Sequence, residues 1–382
     1  MNPTTTSQLE CLLIADDLTG ACDAAVHFAA RGRTAAACLG LEADAADLAG
    51  LDVVAISTDT RDAPPGKFRR MAAEAARQFA DCRIRVLFKK IDSTLRGKAA
   101  GEIRAAAEAF GCEAAIVTPA FPAMGRVVQA GQLRVVTDAD FQSVHLPTYF
   151  CAQGVDCVHV CPGGVQKALA AGARYVSVDA ASDGDLDDIV CEALACGRKI
   201  LWAGSGGLAA ALARVGCAAA PTPIAPPAQA GAVLFCIGSK HAVTLEQQRY
   251  LVAESGAAVF SAGAGTAKLD SVRDALARGE HVVLRIPRGR ASAAKLRDLI
   301  VGKLKHAPPL LLSGGDTASA VCRALEVRRI ELRGEIVPGI PWGLLRGGPL
   351  DGTPVATKSG GFGGPAALMA VADYFAEPRG LV

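Results

Sequence analysis

The sequence predicts an α/β protein of two three-layer α/β domains with mainly parallel sheets. Three observations carry that expectation. Short apolar runs alternate with alanine-rich helical stretches over most of the chain, and such alternation builds βαβ units. The apolar runs end on turns rich in charge or glycine, where parallel sheets gather their ligand groups. A proline- and alanine-rich stretch without helical or strand period, residues 218–231, interrupts the rhythm and reads as an interdomain linker. The expected domains are therefore residues 1–217 and 232–382.

Taken in order, CLLIA precedes DDLTG and the helical ACDAAVHFAARG, and LDVVAIS precedes TDTRDAPPG and MAAEAARQFA. RVLFKK runs into IDSTLRG and KAAGEIRAAAEAFG, CEAAIV into TPAFPAMGR, YVSV into DAASDGD, and KILWA into GSGGLAAALARVG. Residues 125–165 show no clear period. After the linker come AVLFCIGSKHAVTLEQQ, HVVLRIPRG, PLLLSGGDTASAVCRAL and PVATKSGGFGGPAALMAVADYF.

The bulk numbers exclude several classes. Of 382 residues 51% are apolar, enough for large cores, while 40 basic residues against 38 acidic leave no excess for holding nucleic acid. Few aromatics argue against base-stacking platforms. No apolar stretch is long enough to span a membrane, and MNPTTTSQLE has neither the basic nor the apolar region of a secretory signal. Thirteen cysteines, an odd number scattered in apolar runs, fit a reduced cytoplasmic protein. Cys151, Cys157, His159 and Cys161 lack zinc-ligand spacing. The alternation in VDCVHVC reads instead as a strand with one buried face.

In the first domain the turns carry charge. Asp16 and Asp17 close the first strand, Asp59 and Arg61 the second, and Lys89, Lys90, Asp92, Ser93 and Arg96 the third. In a parallel sheet these groups share one edge. Guanidinium grips carboxylate in a bidentate fashion, and aspartate accepts from hydroxyls or takes a proton from one. That mixture suits a polyhydroxy acid. Asp183 and Asp185 read as helix N-caps. Asp16 beside Asp17 does not, because one cap needs only one carboxylate.

In the second domain the turns are glycine and hydroxyl: Gly238-Ser239, Ser313-Gly314-Gly315-Asp316-Thr317, and Lys358-Ser359-Gly360-Gly361-Phe362-Gly363. Backbone N–H groups in such turns, with a helix N-terminus behind them, bind anions. Together they could hold a triphosphate. No GxxxxGK[ST] occurs. Gly204-Ser205-Gly206-Gly207-Leu208-Ala209 fits a loose dinucleotide pattern, but the acidic residue wanted about 20 positions on would fall in the linker.

These motifs resemble the four-carbon acid sugar kinase family. IADDLTGACDAA at 14–25, STDTR at 57–61, KKIDSTLRG at 89–97, TPAFPAMGR at 118–126, SGGDTA at 313–318 and TKSGGFG at 357–363 occur in the family's order over nearly the whole chain. The resemblance implies an N-terminal acid-sugar domain, a C-terminal ATP domain and an active site in the interdomain cleft. The implied reaction is Mg²⁺-dependent transfer from ATP to the terminal hydroxyl of a threonate, erythronate or 3-oxo-tetronate. It implies substrate contacts from Asp16 or Asp17, Arg61 and the run Lys90-Ile91-Asp92-Ser93, and the charged turns add Lys89 and Arg96 to these candidates. It implies nucleotide contacts from Ser239, Gly314, Gly315, Asp316, Thr317, Gly360 and Gly361, and the glycine–hydroxyl turn adds Lys358 and Ser359 to these candidates. No protein metal ligands are assigned. Asp92, among cations that hold it ionised, is the expected base and Asp17 the second choice. Residues 127–165 depart from the family pattern, which leaves the acid open.

The competing reading is a regulator that binds sugar acid or nucleotide without turnover. A kinase for another small hydroxy acid is also compatible, and a Schiff base on Lys90 ranks below both. A cytoplasmic homodimer is expected for such an enzyme.

Overall fold

The computed structural model describes residues 8–136, 138, 140–216, 231–262, 266–287, 297, 298, 300, 301 and 307–376. The expected linker, Gly231 apart, lies outside them. Contacts divide the chain into two units, residues 1–35 with 50–221 and residues 36–49 with 222–382. The stretch 36–49 thus belongs with the second unit, although it lies early in the chain.

Along the first half run β1 (Gln8–Ala15), α1 (Leu18–Ala29), β2 (Ala35–Cys38), α2 (Ala45–Leu48), β3 (Val53–Ser57), α3 (Pro65–Gln78), β4 (Arg83–Lys90), α4 (Ala99–Ala109) and β5 (Ala114–Thr118). Then follow β6 (Arg126–Gln129), β7 (Gln132–Val135), β8 (Val144–His145), α5 (Leu146–Ala152), β9 (Val158–Val160), α6 (Val165–Ala170), β10 (Tyr175–Val178), α7 (Asp183–Leu194), β11 (Ile200–Gly204) and α8 (Gly206–Gly216).

The first unit's sheet runs β3-β1-β4-β11-β5-β10-β9, with every pairing parallel. Its inner strands are covered on both faces, so they read as unbroken apolar runs; β3 and β5 are buried throughout. Helices α1, α7 and α8 pack together, as do α3 and α4. The glycines of the dinucleotide-like motif serve packing. A Cβ on Gly204 would stand 2.7 Å from the Thr118 carbonyl oxygen, and one on Gly207 2.6 Å from that of Ala120. Their absence lets α8 sit directly on the chain.

The stretch without clear period forms a small antiparallel sheet, β6-β7-β8. Its 130–131 turn is left-handed at both residues and is pinned by Asp179, which accepts from Ala130 N at 2.8 Å and Gly131 N at 2.9 Å. The expected strand in VDCVHVC is β9, an edge strand. His159 on it meets Ser177 Oγ and Asp179 Oδ1, each at 3.0 Å. The expected caps at Asp183 and Asp185 need correction. Ser182 is the N-cap of α7, and Asp185 closes the capping box from the third position.

The second unit contains β12 (Leu234–Ile237), α9 (Ala242–Ser255), β13 (Ala258–Ser261), α10 (Thr266–Ala277), β14 (Val282–Arg285), β15 (Leu310–Ser313), α11 (Gly315–Ala324), β16 (Arg329–Val337), β17 (Ile340–Arg346), β18 (Pro354–Lys358) and α12 (Ala367–Ala376). Its order is β13-β14-β12-β15-β18-β17-β16, with β2 beside β16. The first five strands are parallel, whereas β16 and β17 form an antiparallel hairpin. Asp47 after β2 meets Arg328 and Arg329, each at 3.2 Å. Phe235, Trp342, Leu368 and Phe375 centre the core between sheet and helices; burying each aromatic ring contributes about 2–3 kcal/mol.

Candidate active site

In the first unit the carboxyl ends of β1, β3 and β4 lie side by side. They bring Asp16, Asp17, Arg61, Asp92 and Arg96 together. Arg61 is the hub. Its Nε and Nη2 donate to the two oxygens of Asp16 at 2.7 and 3.0 Å, and Nη1 meets Asp17 Oδ2 at 2.6 Å. Nη2 also stands 3.8 Å from Asp92 Oδ2. Asp17 caps α1 as well, accepting from Gly20 N at 2.7 Å. One aspartate thus caps the helix while its neighbour clamps the guanidinium.

Asp92 organises the turn after β4. Its Oδ1 accepts from Thr94 N at 3.0 Å and Arg96 N at 3.3 Å, and its Oδ2 accepts from Arg96 Nε at 3.1 Å. Burial acts to raise its pKa, but Arg61, Arg96 and these hydrogen bonds outweigh burial and hold the carboxyl far below the usual range. For Asp16, burial is likewise outweighed by Arg61, Lys89 and Lys90. Leu95 and Gly97 take positive φ to complete the turn. A Cβ on Gly97 would lie 2.5 Å from the Arg61 carbonyl oxygen, so this glycine lets the two turns touch.

The two lysines part company. Successive strand residues point to opposite faces. Lys89 reaches Glu102 of α4 at 2.6 Å, and Lys90 faces Asp23 of α1 at 3.6 Å. Lys89 thus pairs with Glu102 behind the cluster, from where its charge still acts on Asp16. Lys90 lies at its base, 3.4 Å from the position a Cβ on Gly20 would take. Ile91 and Ser93 are buried within the turn, and Arg96, held to Asp92 by one edge, is exposed. Asp59 stands at the end of β3 with positive φ, accepting from Ser57 Oγ at 3.2 Å.

Sequence reasoning missed Asp23 and Arg126. A lone aspartate in the apolar ACDAA was a readable signal, since a buried charge needs a partner. Burial lowers the pKa of Arg126, against the charges of Asp92, Asp138 and Asp23, which act to raise it.

In the second unit the ends of β12, β15 and β18 adjoin, linked by Gly238 N to Ser313 O at 3.2 Å and Gly314 N to Lys358 O at 3.0 Å. These contacts bring Gly238, Ser239, Gly314 and the start of the 359–364 loop together. Approach is close: a Cβ on Gly360 would lie 2.5 Å from Ser239 Oγ, and one on Gly238 1.9 Å from Thr317 Oγ1. Gly315, Asp316 and Thr317 open α11, with Asp316 exposed.

Lys358 is turned inward. Its ammonium donates to Ser359 O at 3.0 Å, Gly360 O at 3.1 Å and Thr244 Oγ1 at 3.3 Å, and burial depresses its pKa to about 7. Two residues of α9 without any motif signal grip the same loop. Thr244 Oγ1 donates to Gly360 O at 2.7 Å, and Gln247 Nε2 to the carbonyls of Phe362, Gly363 and Gly364 at 3.0, 2.9 and 2.9 Å.

Comparison with known proteins separates the same two halves, except that residues 36–49 fall within the N-terminal match. A sugar-binding N-terminal domain family matches residues 11–148 and 142–212, and a nucleotide-binding C-terminal domain family matches residues 234–368. A D-threonate kinase of Bordetella bronchiseptica is 33% identical over 404 residues, covering 96% of this chain and 98% of that protein. A D-erythronate kinase of Heliobacterium modesticaldum is 30% identical, covering 95% and 96%. A 3-oxo-tetronate kinase of Pseudomonas fluorescens is 27% identical, covering 96% of each. Crystal structures from Salmonella typhimurium LT2 (TM-score 0.73, 21% identity, 96% and 99% covered) and Haemophilus influenzae (TM-score 0.67, 20% identity, 97% and 99% covered) share the fold. By its two domain matches and its full-length relatives, the chain belongs to the four-carbon acid sugar kinase family.

Proposed function

We propose that this protein transfers the terminal phosphoryl group of ATP to the terminal hydroxyl of a four-carbon sugar acid of the threonate, erythronate or 3-oxo-tetronate type. One observation carries the reading. A single chain carries a carboxylate–guanidinium cluster at the strand ends of one unit and, at the strand ends of the other, glycine–hydroxyl turns that adjoin one another. The first suits a polyhydroxy carboxylate, the second a polyphosphate.

The exposed edge of Arg96 is assigned to the substrate carboxylate, and Asp16, Asp17 and Asp92 to its hydroxyls. Asp92 was the expected base. Its several hydrogen bonds and its depressed pKa make it a weak proton acceptor. The hydroxyl proton is assigned to Asp17, the second choice from sequence, and Asp92 positions the acid. Ser239, Thr317 and the glycine turns are assigned to the phosphates. Mg²⁺ would neutralise phosphate charge in a loose transition state. A cytoplasmic C2 homodimer belongs to the same proposal.

The test is a coupled ADP-release assay with MgATP against every stereoisomer of the C4 acids, with C3 to C6 acids as controls. A strong hit on one C4 acid is expected. Asp17→Asn should lower its kcat by about 100-fold or more, while Asp92→Asn should mainly raise the KM of the acid. Nucleotide binding without turnover on any acid would favour the regulator instead. Hits confined to other acids would move the substrate class.

A further inference from the structure

Five carbonyl groups of the loop after β18 are drawn toward Lys358 and α9. Those of Ser359 and Gly360 accept from Lys358, that of Gly360 also from Thr244, and those of Phe362, Gly363 and Gly364 all accept from Gln247. In a trans peptide the C=O of one residue and the N–H of the next point in opposite directions. Drawing these carbonyls toward α9 therefore turns the N–H groups of Gly360, Gly363 and Gly364 the other way.

We infer that Thr244 and Gln247 of α9, together with Lys358, are positioning residues that hold the backbone of residues 359–364 as a cradle for a polyphosphate anion. Neither α9 residue would touch the ligand; they act through the loop. The inference rests on the ATP reading for the identity of its natural ligand, but its chemistry requires only phosphate oxygens.

Side-chain chemistry fits this task. Gln247 is completely buried, and its amide nitrogen lies 3.0, 2.9 and 2.9 Å from three consecutive carbonyls. Thr244 is completely buried as well. Gly363 has positive φ, and a Cβ there would stand 3.3 Å from Gln247 Nε2 and 2.7 Å from the Ala367 Cβ. Loop and helix are thus fitted to each other without room for a side chain. A loop closed only for stability would need its carbonyls satisfied; it would not need five of them drawn toward Lys358 and α9.

The experiment measures binding of MgADP and of inorganic tripolyphosphate to the full chain by calorimetry, alongside the melting temperature without ligand. The proteins are wild type, Gln247→Glu, Thr244→Val and Thr244→Ser. Gln247→Glu sets an acceptor against three carbonyls, and Thr244→Val removes one donor at nearly constant shape. Each should weaken both anions by about tenfold, with the unliganded melting temperature within about 4 °C of wild type. Thr244→Ser should restore binding. If Gln247→Glu does not fold, the Thr244 pair decides. Unchanged affinity in Thr244→Val, or no recovery in Thr244→Ser, overturns the inference while leaving the kinase reading intact. Wild type that binds tripolyphosphate but not MgADP overturns the ATP reading and leaves the cradle standing. Wild type that binds neither overturns both.

Discussion

Arg61 shows what one side chain contributes when several acids depend on it. It meets Asp16 twice, Asp17 once and Asp92 at longer range. The folded state holds Asp16 and Asp92 below the ordinary carboxylate range. Groups depressed in this way contribute stability above the unfolded carboxylate pKa, near 4, and lose it as pH falls further. In Arg61→Met that dependence should shrink. Melting temperature followed from pH 6 to pH 3 should fall less steeply than in wild type, from a lower starting point. Breaking the buried cluster should also cost about 3 kcal/mol at pH 7. Most of the cluster's members were legible, because paired aspartates and an S-T-D-T-R turn at strand ends have few structural uses. Their partition was not. Sequence placed Lys89 and Lys90 together, but strand alternation sends them to opposite faces. Thr244 and Gln247 had no signal, since a threonine and a glutamine on a helix look like solvent-facing residues until the loop they grip is known.

Among the elements, the parallel strands were easy to read and the antiparallel ones were not. Strands buried on both faces leave continuous apolar runs, as in β3 and β15. The hairpin β16–β17 has one half-covered strand with alternating burial, and β6 to β8 are only 2 to 4 residues long. Their signals are correspondingly weak. The turns between elements carry the chemistry, so they respond sharply to small changes. Gly97 combines a φ of 84° with contact to the Arg61 carbonyl. Gly97→Ala should destabilise by about 1–3 kcal/mol and displace the Arg61 turn. Kinetically, the KM of the acid should rise severalfold while that of ATP stays put. Equal changes in both constants would contradict the division of labour between the turns.

At the scale of the whole molecule, stability carries a signature of the buried Lys358. Burial lowers its pKa to about 7, so between that value and the ordinary lysine range the folded chain binds fewer protons than the unfolded one. Stability from this group must then rise with pH through the window. The melting temperature of wild type minus that of Lys358→Met should therefore increase from pH 7 toward pH 10. A flat difference would mean the ammonium stays charged in place.

The assignment of residues 36–49 to the second unit has a consequence for synthesis. The chain enters that unit, leaves it and returns much later. The apolar strand β2 leaves the ribosome early, and its neighbour β16 follows roughly 290 residues later, a wait of about 15 to 60 seconds at ordinary translation speed. During that interval the edge of β2 that β16 will cover has no native mate, a condition that favours wrong pairing with other nascent chains. Translation rate and chaperone supply should therefore govern the yield of this protein more strongly than its final stability does.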